Sequence, residues 1–129
     1  MGYGRCGSIL AERLRGMGSQ VSVLEENEER RARAEVCGFS TIQSSREIPA
    51  GGYTYLFNTV PMLILGKMLL RELKRDVVII DIASGKGGVD YEYCREKGIR
   101  AKHCPGLPGK YAPKTSAEIL YEYIRKKCR

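Results

Sequence analysis

Short apolar segments alternate with amphipathic ones along the chain, and this alternation predicts strands that take turns with helices. Segment 77–82 is apolar at consecutive positions, as in a parallel strand covered on both faces. Segment 8–17 instead places Leu10, Leu14 and Met17 on one face of a helix. The predicted strands are 21–24, 39–42, 53–58, 77–82 and 99–104. The predicted helices are 8–17, 26–37, 61–74, 90–97 and a last one that begins at Thr115 or Ser116.

Glycine, proline and aspartate mark the ends of these helices. Gly18, Gly38 and Gly98 each follow a predicted helix, where a left-handed residue closes it. Pro61 suits the first position of a helix, and Asp90 suits the N-cap. Loops are predicted over 44–52, 85–88 and 105–113. We expect the apolar residues of the 61–74 helix to pack in the core, namely Met62, Leu63, Leu65, Met68, Leu69 and Leu73.

This order of elements predicts the α/β class. Strands that alternate with helices form a parallel sheet with helices on both faces. We therefore expect one domain over residues 1–129, with a Rossmann-like, doubly wound parallel sheet in three layers.

The chain opens on a glycine pattern, Gly-x-Gly-x-x-Gly, directly before the first predicted helix. Gly2 permits a tight turn, Gly4 lets a pyrophosphate approach the backbone, and Gly7 allows close packing of the helix. The phosphates would lie at the helix N-terminus, beside Tyr3, Arg5 and Cys6. In this fold an acid at the end of the second strand binds the ribose hydroxyls. Glu25 directly follows the 21–24 strand, which would be the second strand of such a fold. The sequence therefore predicts a dinucleotide site.

The sequence leaves open whether the cofactor is NAD or NADP. Glu25 would repel a 2′-phosphate and favours NAD. Arg30, Arg31 and Arg33 lie just beyond it and could instead accept that phosphate. The same arginines could also form ion pairs on a solvated helix.

The first strand of such a fold should precede the glycine pattern, but only Met1 does. We therefore expect the sheet to lack its first, central strand, and the neighbouring strands to lose their ladder partners. We expect either that the chain is a fragment or that its true start lies further upstream.

Three segments follow predicted strands, and ligands of an open parallel sheet bind at that edge. Asn58, Thr59, Val60 and Pro61 follow the third strand, Ala83 to Gly88 follow the fourth, and Pro105 to Lys110 follow the fifth. We expect the first group, with Ala83 and Ser84, to line the cofactor. A small dicarboxylate substrate would contact Lys86, Gly87, Gly88, Lys110 and Lys114, although these lysines could equally solvate loops. His103 and Lys86 are candidates for a catalytic acid or base, but His103 could also be a strand-end residue without such a role.

Charge and composition narrow the function further. The net charge of +7 lies entirely in residues 65–129, because seven Lys and Arg residues balance seven Asp and Glu residues before them. No stacking platform or recognition helix accompanies this charge, so we expect no nucleic-acid partner.

No apolar run reaches the 18 or so residues of a membrane span, and we expect neither membrane association nor a signal peptide. The five cysteines form no Cys-x-x-Cys pair and are typical of a protein in the reducing cytoplasm. Because the chain also has only one histidine, we expect no metal site.

Four motifs together resemble the nucleotide-binding half of the dipicolinate synthase A-subunit family. They occur in the order expected for that family and cover nearly the whole chain. They are Gly2-Tyr3-Gly4-Arg5-Cys6-Gly7, Phe57-Asn58-Thr59-Val60-Pro61, Ile80-Asp81-Ile82-Ala83-Ser84 with Gly87-Gly88-Val89-Asp90, and Pro105-Gly106-Leu107-Pro108-Gly109-Lys110-Tyr111-Ala112-Pro113-Lys114-Thr115.

The resemblance implies an oxidoreductase of endospore formation. It would oxidise a dihydrodipicolinate-type precursor to dipicolinate with NAD or NADP, together with a flavoprotein-like B subunit. The family's N-terminal domain, which contributes to the substrate cleft, has no counterpart here. Glu25 and Glu26 stand where the family tends to have a small residue and an arginine.

Two other functions stay open. One is a D-2-hydroxyacid dehydrogenase-like domain, although that family expects an arginine where Ser84-Gly85-Lys86 stand. The other is a dinucleotide-sensing module without catalysis. The sequence also leaves homo-oligomerisation open.

Overall fold

The computed structural model describes residues 1–49 and 52–111. Helices and strands alternate over this range, as the hydrophobic pattern predicts. The helices are α1 (Arg5–Gly16), α2 (Glu28–Val36), α3 (Lys67–Glu72), α4 (Tyr91–Lys97) and α5 (Leu107–Tyr111), with a 3₁₀ turn at Ser45–Glu47. The strands are β1 (Ser22–Leu24), β2 (Ser40–Ile42), β3 (Tyr55–Asn58), β4 (Val78–Asp81) and β5 (Arg100–His103).

The strands form two parallel sheets. One holds β1 and β2, and the other has the order β3-β4-β5. In the second sheet Phe57 pairs with Ile80, which pairs with Lys102. A doubly wound sheet with its first strand missing would break between β1 and β3. The break lies there, which agrees with the expectation from the sequence.

The hydrophobic core is divided in the same way. Tyr3, Val23 and Phe39 belong to a cluster around β1 and α2. A larger cluster surrounds β4, with Ile79 fully buried at its centre. Each sheet therefore packs mainly against its own helices.

The helix ends predicted at Gly18, Gly38, Gly98 and Asp90 are confirmed, whereas Pro61 does not begin a helix. Gly18, Gly38 and Gly98 all have positive φ, at 88°, 80° and 69°. Asp90 caps α4, because its carboxylate accepts a hydrogen bond from the backbone N–H of Tyr93 at 2.9 Å.

The predicted 61–74 helix is wrong in its first half, since α3 begins only at Lys67. The backbone N–H groups of Ile64 and Leu65 both donate to the carbonyl of Gly88, at 3.0 and 2.9 Å. These long-range bonds hold the segment non-helical against the start of α4, which no local pattern reveals.

Because this segment is not helical, part of the predicted core is also wrong. Met62, Leu63 and Met68 are 65%, 68% and 72% exposed, so they do not pack inside. Leu65 is fully buried, as expected. Leu69 and Leu73 are partly buried against the same core.

The predicted 105–113 loop contains the short helix α5 instead of being irregular throughout. Gly106, at φ +67°, turns the chain into it. The predicted last helix from Thr115 or Ser116, and Lys114, lie outside the described residues.

Candidate functional site

The glycine-rich turn connects both sheets with α1. Gly2 has φ +85°, and its N–H donates to the carbonyl of Leu24 at 2.8 Å. A Cβ at Gly2 would lie 2.5 Å from Oγ1 of Thr59, and one at Gly7 would overlap the carbonyl oxygen of Gly2. These two glycines are therefore required by the turn itself and by the close packing of α1, as the sequence predicts.

Gly4 differs from the other two glycines of the pattern. Its backbone is extended, at φ −75° and ψ −165°, and a Cβ there would meet nothing within 4 Å. Gly4 is also the N-cap of α1, and no side chain caps this helix. The first-turn N–H groups at Arg5 and Cys6, both exposed residues, thus have no intrahelical acceptor. The open side of Gly4 and these donors suit an anion at close range.

Glu25 lies directly after β1 and is only 6% exposed. One carboxylate oxygen accepts the N–H of Tyr3 at 2.8 Å, and the other accepts the N–H of Asn27 at 2.9 Å. These bonds hold the carboxylate against the glycine-rich turn, which is the predicted place of the ribose acid. Each oxygen keeps a second lone pair for a ligand hydroxyl.

The arginines beyond Glu25 have different surroundings. Arg31 donates to the backbone carbonyls of Glu25 and Glu26, at 3.2 Å each. Arg30 lies 3.8 Å from the Glu25 carboxylate. Arg33 is exposed on α2. The cationic groups of Arg30 and Arg31 are therefore engaged around Glu25, while that of Arg33 faces solvent.

A buried polar network joins the ends of β3 and β4. Asp81 is fully buried, and one of its oxygens accepts from Nδ2 of Asn58 and from the N–H of Ala83, both at 3.0 Å. The other oxygen accepts from the N–H of Gly88 at 2.6 Å and from the hydroxyl of Tyr91 at 2.7 Å. One carboxylate thus anchors the segment after β3, both ends of the 83–88 loop, and α4.

The network keeps Asp81 ionised. Burial raises the pKa of this carboxyl, but the hydrogen bonds from Gly88, Tyr91, Ala83 and Asn58 outweigh it and lower the pKa overall. Burial, together with the bond to Asp81, strongly raises the pKa of Tyr91. The pair is a carboxylate and a neutral phenol at neutral pH.

Asn58 is predicted to line the cofactor, yet its side chain is fully buried. Its Nδ2 also donates to the carbonyl of Val60, and its Oδ1 accepts from the N–H of Val60. The neighbouring Thr59 is half-buried and donates to the carbonyl of Met1 at 3.0 Å, while Pro61 is exposed. This segment therefore contacts the glycine-rich turn.

The 83–88 loop contains both exposed and internal positions. Ser84 and Lys86 face solvent, whereas Ala83 is buried. A Cβ at Gly87 would overlap the Asp81 carboxylate, and one at Gly88 would overlap the carbonyl of Met62. Gly87 and Gly88 are thus needed for packing, and of the loop's predicted substrate contacts only Lys86 is exposed.

His103 ends β5 and is half-buried. Its Nε2 lies 3.1 Å from the carbonyl of Ala83, and its ring lies 5.7 Å from that of Tyr91. A bond to a carbonyl places the proton on Nε2, which leaves Nδ1 as the basic atom of a neutral ring. Lys110 is exposed, with its ammonium 5.3 Å from the Tyr111 ring centre.

Asp81 and Tyr91 are two residues of the site to which the sequence pattern assigns no role. Asp81 ends an otherwise apolar strand and precedes a glycine-rich loop, and this is the signal that could have identified it. Tyr91 carries no comparable local signal, because its partner Asp81 is ten residues away in the chain.

Within the described residues, no group of three or more His, Cys, Asp and Glu side chains could hold a metal ion. Over the same range, no helix is both long enough and apolar enough to cross a membrane.

The parallel strands, the glycine-rich turn and the acid after β1 define a Rossmann-like α/β fold. No family model matches the chain. It is 33% identical to the A subunit of dipicolinate synthase of Bacillus subtilis (strain 168), over 98% of this chain and 43% of that protein. The chain is therefore similar, over nearly its whole length, to part of the dipicolinate synthase A subunit, which confirms the resemblance seen in the sequence motifs.

Solved structures agree with this result. The crystal structure of the dipicolinate synthase A subunit from Bacillus halodurans matches with a TM-score of 0.84 and 32% identity, over 97% of this chain and 43% of that one. The corresponding crystal structure from Bacillus subtilis matches with a TM-score of 0.85 and 31% identity, over 97% and 42%. The chain therefore spans less than half the length of these relatives.

Proposed function

We propose that this domain binds a nicotinamide dinucleotide and presents it to a small dicarboxylate, as part of a dipicolinate synthase. The observation that carries the proposal is the open backbone at Gly4, beside the uncapped N-terminus of α1. The phosphates would bind there, and the ribose would bind to Glu25. The names of the relatives support the reaction.

We propose NAD rather than NADP as the cofactor. A 2′-phosphate would have to lie beside the Glu25 carboxylate, which is held in place by Tyr3 and Asn27. The nearest cations, Arg30 and Arg31, are already engaged around Glu25. The negative charges of the 2′-phosphate and the neighbouring carboxylate would repel each other, whereas ribose hydroxyls can donate hydrogen bonds to the carboxylate.

The remaining residues would act on the nicotinamide side. When bound, the cofactor accepts a hydride from the substrate. Asp81 and Asn58 hold the 58–61 and 83–88 segments in place, and Ser84 is the exposed polar side chain there. Lys86, Lys110 and Lys114 are proposed to attract the substrate's carboxylates, and Nδ1 of His103 to accept a proton. A B subunit is the proposed partner, because the relatives are named as A subunits.

Binding is tested by titrating the chain with NAD and NADP in a calorimeter. We expect NAD to bind at least about tenfold more tightly, a difference of roughly 1.4 kcal/mol. Gly4→Ala should raise the Kd for NAD about tenfold or more while it changes the free energy of unfolding by less than about 1 kcal/mol, since Ala can adopt this backbone.

Gly16→Ala is the matched control. Gly16 ends the same helix, and a Cβ there also meets nothing within 4 Å. We expect its Kd for NAD to be unchanged. A folded chain that binds neither dinucleotide would overturn the proposed function. Binding without hydride transfer, when a dihydrodipicolinate-type substrate and the B subunit are both present, would favour a sensing module instead.

A further inference from the structure

A groove lies between α3 and α4, toward the C-terminal ends of both helices. Its volume is about 260 Å³, and two of its lining residues, Arg75 and Ile99, come shortly before β4 and β5 in the chain. The dinucleotide is proposed to bind at the carboxyl ends of the strands, so the groove lies at the opposite edge of the sheet. We call it the basic groove, and its lining residues are Leu70, Arg71, Leu73, Arg75, Tyr93, Lys97 and Ile99.

The floor of the basic groove is apolar and firmly packed. Leu70, Tyr93 and Ile99 are 1%, 9% and 7% exposed, and all three belong to the core cluster around β4. Leu73 packs against the same cluster. The volume is below the roughly 300–1,000 Å³ of pockets that hold drug-sized ligands. The groove therefore suits one large apolar side chain that belongs to a larger partner.

The rim of the groove is positively charged. Arg71 and Lys97 stand in the last turns of α3 and α4, Arg75 follows α3, and all three residues are exposed. No acidic side chain lines the groove. Arg71 lies 4.0 Å from Glu72, but both side chains are more than half exposed, and such pairs hold their partners weakly. The rim thus presents three cations and no carboxylate.

Helix stability accounts for only two of these cations. Arg71 and Lys97 offset the partial negative charge at the ends of their helices. Arg75 lies outside any helix, so this role does not apply to it. Within residues 1–49 and 52–111, neither Arg75 nor Lys97 forms an ion pair. Their charges are therefore open to carboxylates of another molecule.

We propose that the basic groove docks an acidic segment of a different protein. The segment inserts one large apolar side chain between α3 and α4 and places carboxylates against Arg71, Arg75 and Lys97. Charge complementarity selects this partner, because the rim would repel a basic segment and the whole net charge of +7 lies in residues 65–129. The guanidinium groups of the two arginines can each hold a carboxylate through two parallel hydrogen bonds.

Docking at this edge leaves the other edge of the sheet free. The glycine-rich turn and the ends of β3 and β4 stay open, so the partner can remain bound while a dinucleotide binds and leaves. The groove is therefore an interaction surface separate from the proposed cofactor site.

The test follows the binding of an acidic peptide to the 129-residue chain by NMR, without any dinucleotide. The probe is the acetylated and amidated peptide Glu-Glu-Phe-Glu-Glu, at physiological ionic strength, where charges more than about 8 Å apart are largely screened. We expect a Kd of about 1 mM or lower, with the largest shifts at the amides of residues 70–75 and 93–99. Gln-Gln-Phe-Gln-Gln lacks the charge and Glu-Glu-Gly-Glu-Glu lacks the apolar side chain, so each should bind at least about fivefold more weakly.

Charge reversal on the protein gives the matched comparison. Arg75→Glu should raise the Kd of the acidic peptide at least about fivefold, because it places a like charge beside the peptide's carboxylates. Lys67→Glu is the control. Lys67 is exposed, begins α3 and does not line the groove, and its replacement changes the net charge by the same amount. We expect its Kd to stay within about twofold of that of the unchanged chain.

Shifts centred on these two ranges, with a loss of affinity in Arg75→Glu but not in Lys67→Glu, support the proposal. Absence of binding at about 10 mM peptide, or equal binding of either control peptide, would overturn it. Benzoate that binds as tightly as the acidic peptide would also overturn it, because the groove would then be a site for small organic anions. Sedimentation of the chain as an oligomer that Arg75→Glu dissociates would do the same, because the occupant would then be a second copy. Since no dinucleotide is present, none of these results depends on the proposed function.

Discussion

Replacing Asp81 with Asn tests whether the buried carboxylate anchors the edge of the site. The carboxylate accepts four hydrogen bonds, two on each oxygen. An Asn amide can keep its oxygen toward Asn58 and Ala83, and the Tyr91 hydroxyl can turn to accept from the new NH₂ group. The N–H of Gly88 then has no acceptor.

The energetic cost of Asp81→Asn follows from these four bonds. A buried donor without a partner costs about 1–3 kcal/mol, and the remaining bonds lose their charge assistance. We expect Asp81→Asn to lower the free energy of unfolding by about 3 kcal/mol, a large part of the usual total of roughly 5–15 kcal/mol. Tyr91→Phe removes one donor and leaves the charge, so it should cost about half as much.

Urea unfolding at pH 7, followed by circular dichroism, measures these differences. Asp76→Asn is the control, because Asp76 is exposed and its carboxylate makes no hydrogen bond in the described part of the chain. The pKa of Asp81 is lowered in the folded state, so its stabilisation is present above about pH 4 and disappears as the pH falls through the folded pKa. The decrease in the free energy of unfolding caused by Asp81→Asn should therefore become smaller below about pH 4. A decrease at pH 7 no larger than that caused by Asp76→Asn would refute the reasoning.

Three further predictions concern the glycine-rich turn. Burial lowers the pKa of the Met1 amine from 8.0 to about 6, so the free energy of unfolding should rise by about 2 kcal/mol from pH 6 to pH 8. Melts of protein with Met1 retained check this, and acetylation of the amine should abolish the rise. Gly7→Ala should cost about 3 kcal/mol in urea unfolding, against none for Gly16→Ala, because its Cβ overlaps the backbone of Gly2. Glu25→Gln removes the negative charge that would repel a 2′-phosphate, so it should reduce the preference for NAD over NADP. The ratio of the two Kd values measures this preference, and an unchanged ratio would contradict the argument.

The parts of the fold that local chemistry determines could be predicted from the sequence. Gly18, Gly38 and Gly98 end helices because they adopt a conformation that other residues avoid. The spacing of Gly2, Gly4 and Gly7 also predicts the turn, and Glu25 stands beside it as expected.

The errors arise where distant residues decide the conformation. The non-helical path before α3 depends on bonds from Ile64 and Leu65 to Gly88, more than twenty residues further along. The role of Asp81 depends on Asn58, which is 23 residues away in the sequence. Nothing within a local window indicates such partners.

The two proposed binding regions of this domain depend on each other physically. The turn proposed to bind the phosphates packs on β1 through the bond from Gly2 to Leu24, while the segments proposed for the nicotinamide side follow β3 and β4. The two halves meet at Met1 and Gly2, through bonds to Phe57, Thr59 and Leu24.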